Sequence, residues 1–237
     1  MGSEWGESLL GQIATIIDSR HKTPQYTEIG LPMVRVVDVI GGELNLSKTK
    51  KISSIDYIEY SKGRDPEVGD LIISRVGSYG NIAYVKDSTN LFCLGQNTAL
   101  IVPKIQWRYL YYQLISPALK AQIEECVVGA VQKTISLKNI KLLKIIIPPL
   151  SEQKEIAHIL GSLDDKIELN QQMNETLEGI AQALFKSWFV DYDPVIDNAL
   201  EAGNSIPEEY IKRSEIRRKA LADGTANRQI ASQFPSK

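Results

Sequence analysis

Histidine and cysteine are scarce, two of each among 237 residues. His21 and His158 are too few to build a metal cluster. Cys93 and Cys126 follow no ligand spacing, so free thiols in a reducing, cytoplasmic setting are expected. No apolar run approaches the roughly 18 residues that a membrane helix needs. Met1-Gly2-Ser3-Glu4-Trp5 has neither the basic start nor the apolar stretch of a signal peptide. The phosphate-cradling patterns GxGxxG and GxxxxGK[ST] are missing. So is an Asn/Asp-Pro-Pro-Tyr/Phe aminomethyltransferase motif; Pro148-Pro149-Leu150 does not supply one. Asp164-Asp165 reads as a solvated helix face, and Asp191 and Asp193 read as turn residues. The expectation is a chain with no catalytic residue and with no cofactor or metal of its own. An internal repeat is also lacking.

What is present begins with an ordinary apolar fraction, 43%. The net charge of −2 is unevenly spread. Residues 1–150 hold 17 Lys and Arg against 14 Asp and Glu, a balance of +3. Residues 151–237 hold 10 against 15, a balance of −5. The front half is mildly suited to a polyanion and the rear half to protein contacts.

Short strands, long loops and a few helices in residues 1–150 predict an α+β domain. Leu31 to Val39 reads as a strand that Gly41-Gly42 ends, and Lys48 to Lys51 as a basic turn. Ile55 to Ser61 reads as a helix. Leu71-Ile72-Ile73 and Ile82 to Val85 read as strands flanking a loop, with further strands at Leu91–Leu94 and Thr98–Val102. Trp107–Gln113 and Pro117–Glu125 suggest helices, and Thr134–Ile147 a strand-rich stretch. Ser151 is a candidate N-cap for a long helix.

Along that helix a heptad seam runs through Ile156, Leu160, Leu163, Ile167, Asn170, Asn174, Leu177, Ala181, Leu184 and Trp188. Its steps alternate between four and three residues, an a/d pattern. A helix of roughly 38 residues at about 1.5 Å each is about 57 Å long. Such a helix needs a partner, either in a bundle or in a dedicated two-helix pairing. The two seam asparagines sacrifice apolar burial but discriminate between registers. Asp193-Pro194 ends the helix, residues 195–206 form a connector, and Pro207 starts a shorter helix. The tail from Thr225 to Lys237 is expected to be mobile.

Three loops carry the side chains that read base edges and hold phosphates. The first has Arg20, His21, Lys22, Thr23, Gln25 and Tyr26. The second has Ser74, Arg75, Ser78 and Tyr79 between glycines, and the third has Gln132, Lys133 and Thr134. Each alone reads equally well as a solvated connection. Lys48, Lys50 and Lys51 read equally well as a further backbone-tracking patch or as an ordinary solvated one.

One family ties these features together. IPPLSEQKEIAHILGSLDDKIELNQQMNETLEGIAQALFKSWFVDYDPV, from Ile147 to Val195, resembles the conserved region of specificity subunits of type I restriction-modification enzymes. EWGESLLGQIATIIDSRH, LPMVRVVDV, VGDLIISRVGSYGNIAYV and VGAVQKTISLKNIKLLKIIIPPL resemble it more loosely, so the likeness spans nearly the whole chain. The resemblance implies a target recognition domain at 1–150, a spacer helix at 151–193 that enters an antiparallel coiled coil, and a connector, short helix and tail at 194–237. It implies that the three loops contact double-stranded DNA. It implies partners, the modification and restriction subunits, which would hold S-adenosylmethionine, ATP and Mg. The family pattern repeats domain and helix twice, whereas one copy is present here. A natural half-subunit or a fragment both fit, and a half-subunit is expected to homodimerise through the Ile156–Trp188 seam. A truncated decoy that binds partner subunits without selecting DNA is the alternative; a standalone DNA-binding regulator fits the long helix less well.

Overall fold

The runs Leu71-Ile72-Ile73 and Ala99-Leu100-Ile101 lack polar alternation, as strands covered on both faces do. All six residues are buried. The computed structural model describes residues 5–61, 64–86, 91–127 and 133–224. Gln132 and the tail from Thr225 lie outside the described residues. The chain forms two units, Met1–Leu163 and Asp164–Lys237.

The first unit opens with β1 (Gly6–Leu9), α1 (Leu10–Ile13), β2 (Ala14–Asp18), β3 (Tyr26–Thr27) and β4 (Leu31–Val34). β5 (Gly42–Glu43), β6 (Lys50–Ile52), α2 (Ser54–Ser61), β7 (Leu71–Ser74), β8 (Ile82–Tyr84), β9 (Cys93–Leu94) and β10 (Thr98–Pro103) come next. Then come α3 (Trp107–Ile115), α4 (Pro117–Glu125), α5 (Leu137–Leu142) and β11 (Lys144–Ile147). A five-stranded sheet has the order β2-β10-β7-β8-β5, a four-stranded sheet β3-β6-β4-β9, and β1 pairs with β11. The pairs β4–β9 and β5–β8 are parallel.

Side-chain alternation along the five-stranded sheet divides the core. Leu71, Ile73, Ile82 and Ile101 pack with Leu110, Leu114, Ile123 and Ile140 of the helices. Ile72, Ala83 and Leu100 point the other way, onto Val34, Val39, Phe92 and Leu94. This is the expected α+β domain, and both faces of its main sheet are buried.

Local hydrogen bonding moves several boundaries away from the sequence reading. The strand from Leu31 stops at Val34, because the Asp38 carboxylate accepts from Arg35 N at 2.8 Å and Arg35 Nε at 3.0 Å. That local bond competes with strand pairing and closes a 3-10 turn over Val36–Asp38. Gly42 begins β5 rather than merely ending a strand, and Lys50 and Lys51 lie in β6 rather than in a turn. Thr134–Ile147 contains helix α5, capped where Ser136 Oγ accepts from Asn139 N at 3.1 Å, so only Lys144–Ile147 is strand.

Helix α6 (Leu150–Phe185) has 36 residues. It starts one residue before Ser151, with Gln153 N donating to Pro149 O at 3.0 Å, so Ser151 lies in the first turn and is not the cap. Its root is held by Trp5 Nε1 donating to Glu152 at 2.7 Å and Arg108 Nη2 donating to Gly161 O at 3.2 Å. Buried Gln153 bonds Pro148 O at 2.9 Å and accepts from Gln106 N at 3.3 Å. Gln153, Ala157 and Gly161 form the buried face of this helix, spaced four apart as one face requires.

In the second unit α6 passes into a π-helical turn, Lys186–Val190, where Asp191 N donates to Lys186 O at 2.8 Å. The i→i+5 spacing interrupts the heptad rhythm, so Trp188 leaves the seam. Tyr192 takes a left-handed backbone, φ 53°. The expected loose connector is then a helix, α7 (Asp193–Glu201), with Pro194 in its first turn, where a missing N–H costs little. A 3-10 turn at Glu208–Tyr210 leads into α8 (Ile211–Ala222).

Asp193 is not a turn residue in water. It is buried, and its carboxylate accepts two bonds at 2.6 Å from Arg213 and one at 2.7 Å from Ser187. Arg217 grips buried Asp197 in the same way, at 2.8 and 2.5 Å. These forks join α7 to α8 with the bidentate geometry that planar guanidinium favours.

Candidate nucleic-acid interface

The first candidate loop leaves the end of β2, where the apolar run gives way to Asp18. The Asp18 carboxylate is a hub. Its Oδ1 accepts from Arg75 Nη1 at 2.5 Å, and its Oδ2 lies 2.9 Å from His21 Nε2. The first and second loops are therefore joined across 57 positions of sequence.

The second and third loops are also joined. Val76 and Thr134 form an antiparallel bridge. Gly77 N donates to Lys133 O at 3.1 Å, Ile135 N donates to Arg75 O at 3.0 Å, and Arg75 Nε donates to Ile135 O at 3.3 Å. Arg75 N is bonded to Asn97 O at 2.9 Å. Gly77 and Gly80 have φ of 72° and 77°, values that L side chains rarely adopt, and let this loop turn tightly. Ser74 is fully buried, and its hydroxyl donates to Ser78 O inside the loop.

The candidates sort into two groups by exposure. Arg75 has 11% of its side chain exposed and holds Asp18, so it fixes loop geometry. Thr134 is half-buried in the bridge. Arg20, His21, Lys22, Thr23, Gln25, Tyr26, Ser78 and Lys133 are exposed. Arg20 lies 3.4 Å from Glu59, and Thr23 Oγ1 donates to Gln96 at 3.2 Å. Tyr79 is half-buried; its hydroxyl donates to Glu124 at 2.7 Å, and Lys133 Nζ lies 5.8 Å from its ring centre. Lys50 Nζ sits 5.1 Å from the centre of the Tyr26 ring, which places a cation and an aromatic face together at the edge of the four-stranded sheet.

Sequence reasoning does not find Asp18, Gln96 and Glu124. Their partners lie far away along the chain, and only the end of an apolar run marks Asp18. Beneath the loops, burial pushes the Cys93 thiol up to about 12, so it stays protonated and inert. Among the described residues no group of three or more His, Cys, Asp or Glu is placed to hold a metal ion. Among them, too, no helix is long and apolar enough to cross a membrane.

The fold and its loops define a class of architecture: an α+β domain with converging polar loops, continued by a long helix. A family model described as the type I restriction modification DNA specificity domain matches residues 2–179, and the chain belongs to that family. The HindI specificity subunit of Haemophilus influenzae is 31% identical over 208 residues, covering 81% of this chain and 42% of that protein. The MjaIX specificity subunit of Methanocaldococcus jannaschii is 26% identical over 204 residues, covering 79% and 46%. The chain thus spans about half the length, or less, of these relatives. A crystal structure of a type I restriction-modification S subunit from M. genitalium shares the fold, with TM-score 0.59 and 17% identity over 79% of this chain and 46% of that one.

Proposed function

We propose that residues 1–150 form a target recognition domain that selects the DNA sequence on which a type I restriction-modification complex acts. Residues 151–193 are the spacer helix, and residues 194–237 are the connector, short helix and tail. The supporting observation is the convergence of three separate loops at Asp18 and Arg75, in a chain of the DNA specificity family. Arg20, His21, Lys22, Thr23, Gln25, Tyr26, Ser78, Tyr79 and Lys133 offer donors and acceptors to bases and phosphates. Arg75 and Thr134 hold the loops in place. Gln132 belongs to the same loop as Lys133 and lies outside the described residues.

The chain works in the cytoplasm without a cofactor, in this reading. Methyl transfer from S-adenosylmethionine belongs to modification subunits, and ATP-driven, Mg-dependent cleavage belongs to a restriction subunit. The seam of α6 pairs with a second copy of the chain. With a front-half balance of only +3, affinity for DNA depends on those partner subunits as well.

The test is the methylated motif written in cells by the complex carrying Lys22→Gln/Lys133→Gln or Arg75→Met. Loss of at least about tenfold in methylation at the original motif is expected, as for removal of one or two base or positioning contacts, with subunit assembly unchanged. An unchanged motif would favour the decoy alternative, in which the chain binds partner subunits without selecting DNA.

A further inference from the structure

The last turn of a helix favours cations, because its free carbonyls leave a partial negative charge there. Helices α2 and α4 have no basic residue in that turn, and each places a glutamate in it, Glu59 and Glu124. Each glutamate reaches a candidate side chain of a different loop. Glu59 Oε1 accepts from Arg20 Nη1 at 3.4 Å, with 40% and 43% of the two side chains exposed. Exposed Glu124 accepts from the Tyr79 hydroxyl at 2.7 Å. Open pairs of this kind add little to stability. A local preference that is overridden without a gain in stability points to function.

A phenol has one proton and two lone-pair sites. The Tyr79 proton goes to Glu124, so its oxygen has only acceptor capacity left. Lys133 Nζ lies 3.4 Å away and donates into it. The Tyr79 ring packs against the helical side of the core. Neighbouring Gly80 runs so close to α4 that an added Cβ would lie 3.1 Å from Ile123 Cγ2. Packing therefore fixes the place of the hydroxyl, and Glu124 fixes its direction. The charges of Lys133 and Glu124 balance, so the trio adds direction without adding general attraction for phosphates.

We propose that Glu124 and Glu59 are positioning residues of the recognition site. Glu124 makes Tyr79 an acceptor that steers the Lys133 ammonium, and Glu59 aligns the Arg20 guanidinium. This rests on the DNA-recognition reading above and adds how its reading side chains are set before DNA arrives. An ammonium has three donors. The two that Lys133 keeps fit guanine O6 and N7, and the lone pair that Tyr79 keeps fits the amino group of adenine or cytosine. Without Glu124 the phenol recovers its proton, can donate or accept, and tells base edges apart less well. Both glutamates stand on helices, which hold a contact more rigidly than loops do.

The test uses the complex with its modification subunits, bound to a duplex carrying the methylated motif and to one with the motif scrambled. Discrimination is the ratio of the two affinities. Glu124→Ala should lower it about tenfold, as for one base contact, without weakening binding to scrambled DNA. Tyr79→Phe should do the same, and the double variant should be no worse than either, since both remove one interaction. Glu124→Gln keeps an oxygen that accepts the phenolic proton, so discrimination should return to within about twofold of the parent. It should also bind both duplexes more tightly at low salt, because a negative charge near the phosphates is gone. Glu59→Ala and Glu59→Gln should show the same loss and rescue through Arg20. Thermal unfolding should leave Glu124→Ala at least as stable as the parent, since an acid leaves a helix C-terminal turn; a purely structural glutamate gives the reverse. Discrimination that survives in Glu124→Ala, or falls equally in Glu124→Gln, overturns the positioning role and leaves recognition standing. A parent complex that methylates no motif, or binds both duplexes alike, overturns the recognition reading and this inference with it.

Discussion

At the scale of single residues, Asp193 shows how a sequence can conceal an ion pair. Burial pushes its carboxyl up, but hydrogen bonds from Arg213 and Ser187 and the charges of Arg213 and Arg217 outweigh burial, and the group stays below the ordinary carboxylate range. A carboxylate held lower in the folded state than in the unfolded chain stabilises the fold above its unfolded value, about 3.9. That contribution disappears as pH falls through the lower folded value. Asp193→Asn should therefore cost about 2 kcal/mol at pH 7, below the full penalty for breaking a buried pair because Arg213 is 34% exposed. It should also flatten the acid limb of the stability curve. Urea unfolding of the second unit at pH 7 and pH 3 measures both, and equal losses at the two pH values would contradict the assignment. Arg213 stands 20 residues beyond Asp193, and Arg217 stands 20 beyond Asp197, so in sequence the Asp-Pro dipeptide looks like a helix stop. In the fold Pro194 is a helix start. Asp18 is hidden in the same way: nothing near it in sequence announces Arg75.

At the scale of elements, legibility tracks periodicity. Helix α6 is readable because its seam keeps a 3.5-residue rhythm from Ile156 to Leu184, broken in character only by Asn170 and Asn174, and β7 and β10 because uninterrupted apolar runs leave little else for them to be. Strand β5 has two residues, and α5 has six; neither is long enough to establish a period, and β5 exists because β8 completes its hydrogen bonds. The end of the seam is illegible for another reason. A π turn inserts one residue per turn without any change in composition, so Trp188 keeps its place in the sequence pattern and loses it in space. For the seam that remains, Leu163→Asp/Leu177→Asp should weaken self-association at least 100-fold, about 2.7 kcal/mol, by placing four carboxylates in one dimer seam. Sedimentation equilibrium checks it, and unfolding of the first unit should be little changed because both positions are already half-exposed.

For the whole molecule, the proposed pairing has a consequence that can be read in DNA. Two identical chains related by a two-fold axis present the same loops to both half-sites, in opposite orientation. The motif methylated by the complex should therefore be an interrupted palindrome. Genome-wide mapping of methylated adenine or cytosine decides it; two unlike half-sites would mean that a different second recognition domain completes the assembly. The fold is legible at this scale, down to one α+β domain and one long helix. The candidate site is legible as three polar loops, but the division between side chains that reach outward and side chains that tie the loops together is not. That division depends on which loops meet, and loop meeting is a property of sheet order.

The central strand β7 has neighbours on both edges and apolar layers on both faces. Sliding it by one residue would exchange the two layers, so its frame is locked. The next loop begins from that locked frame at Ser74. Changes at exposed Ser78 can alter the chemistry there without displacing the loop's origin. In the proposed reading, what this loop reads can therefore change by point substitution while the strand that carries it keeps its frame.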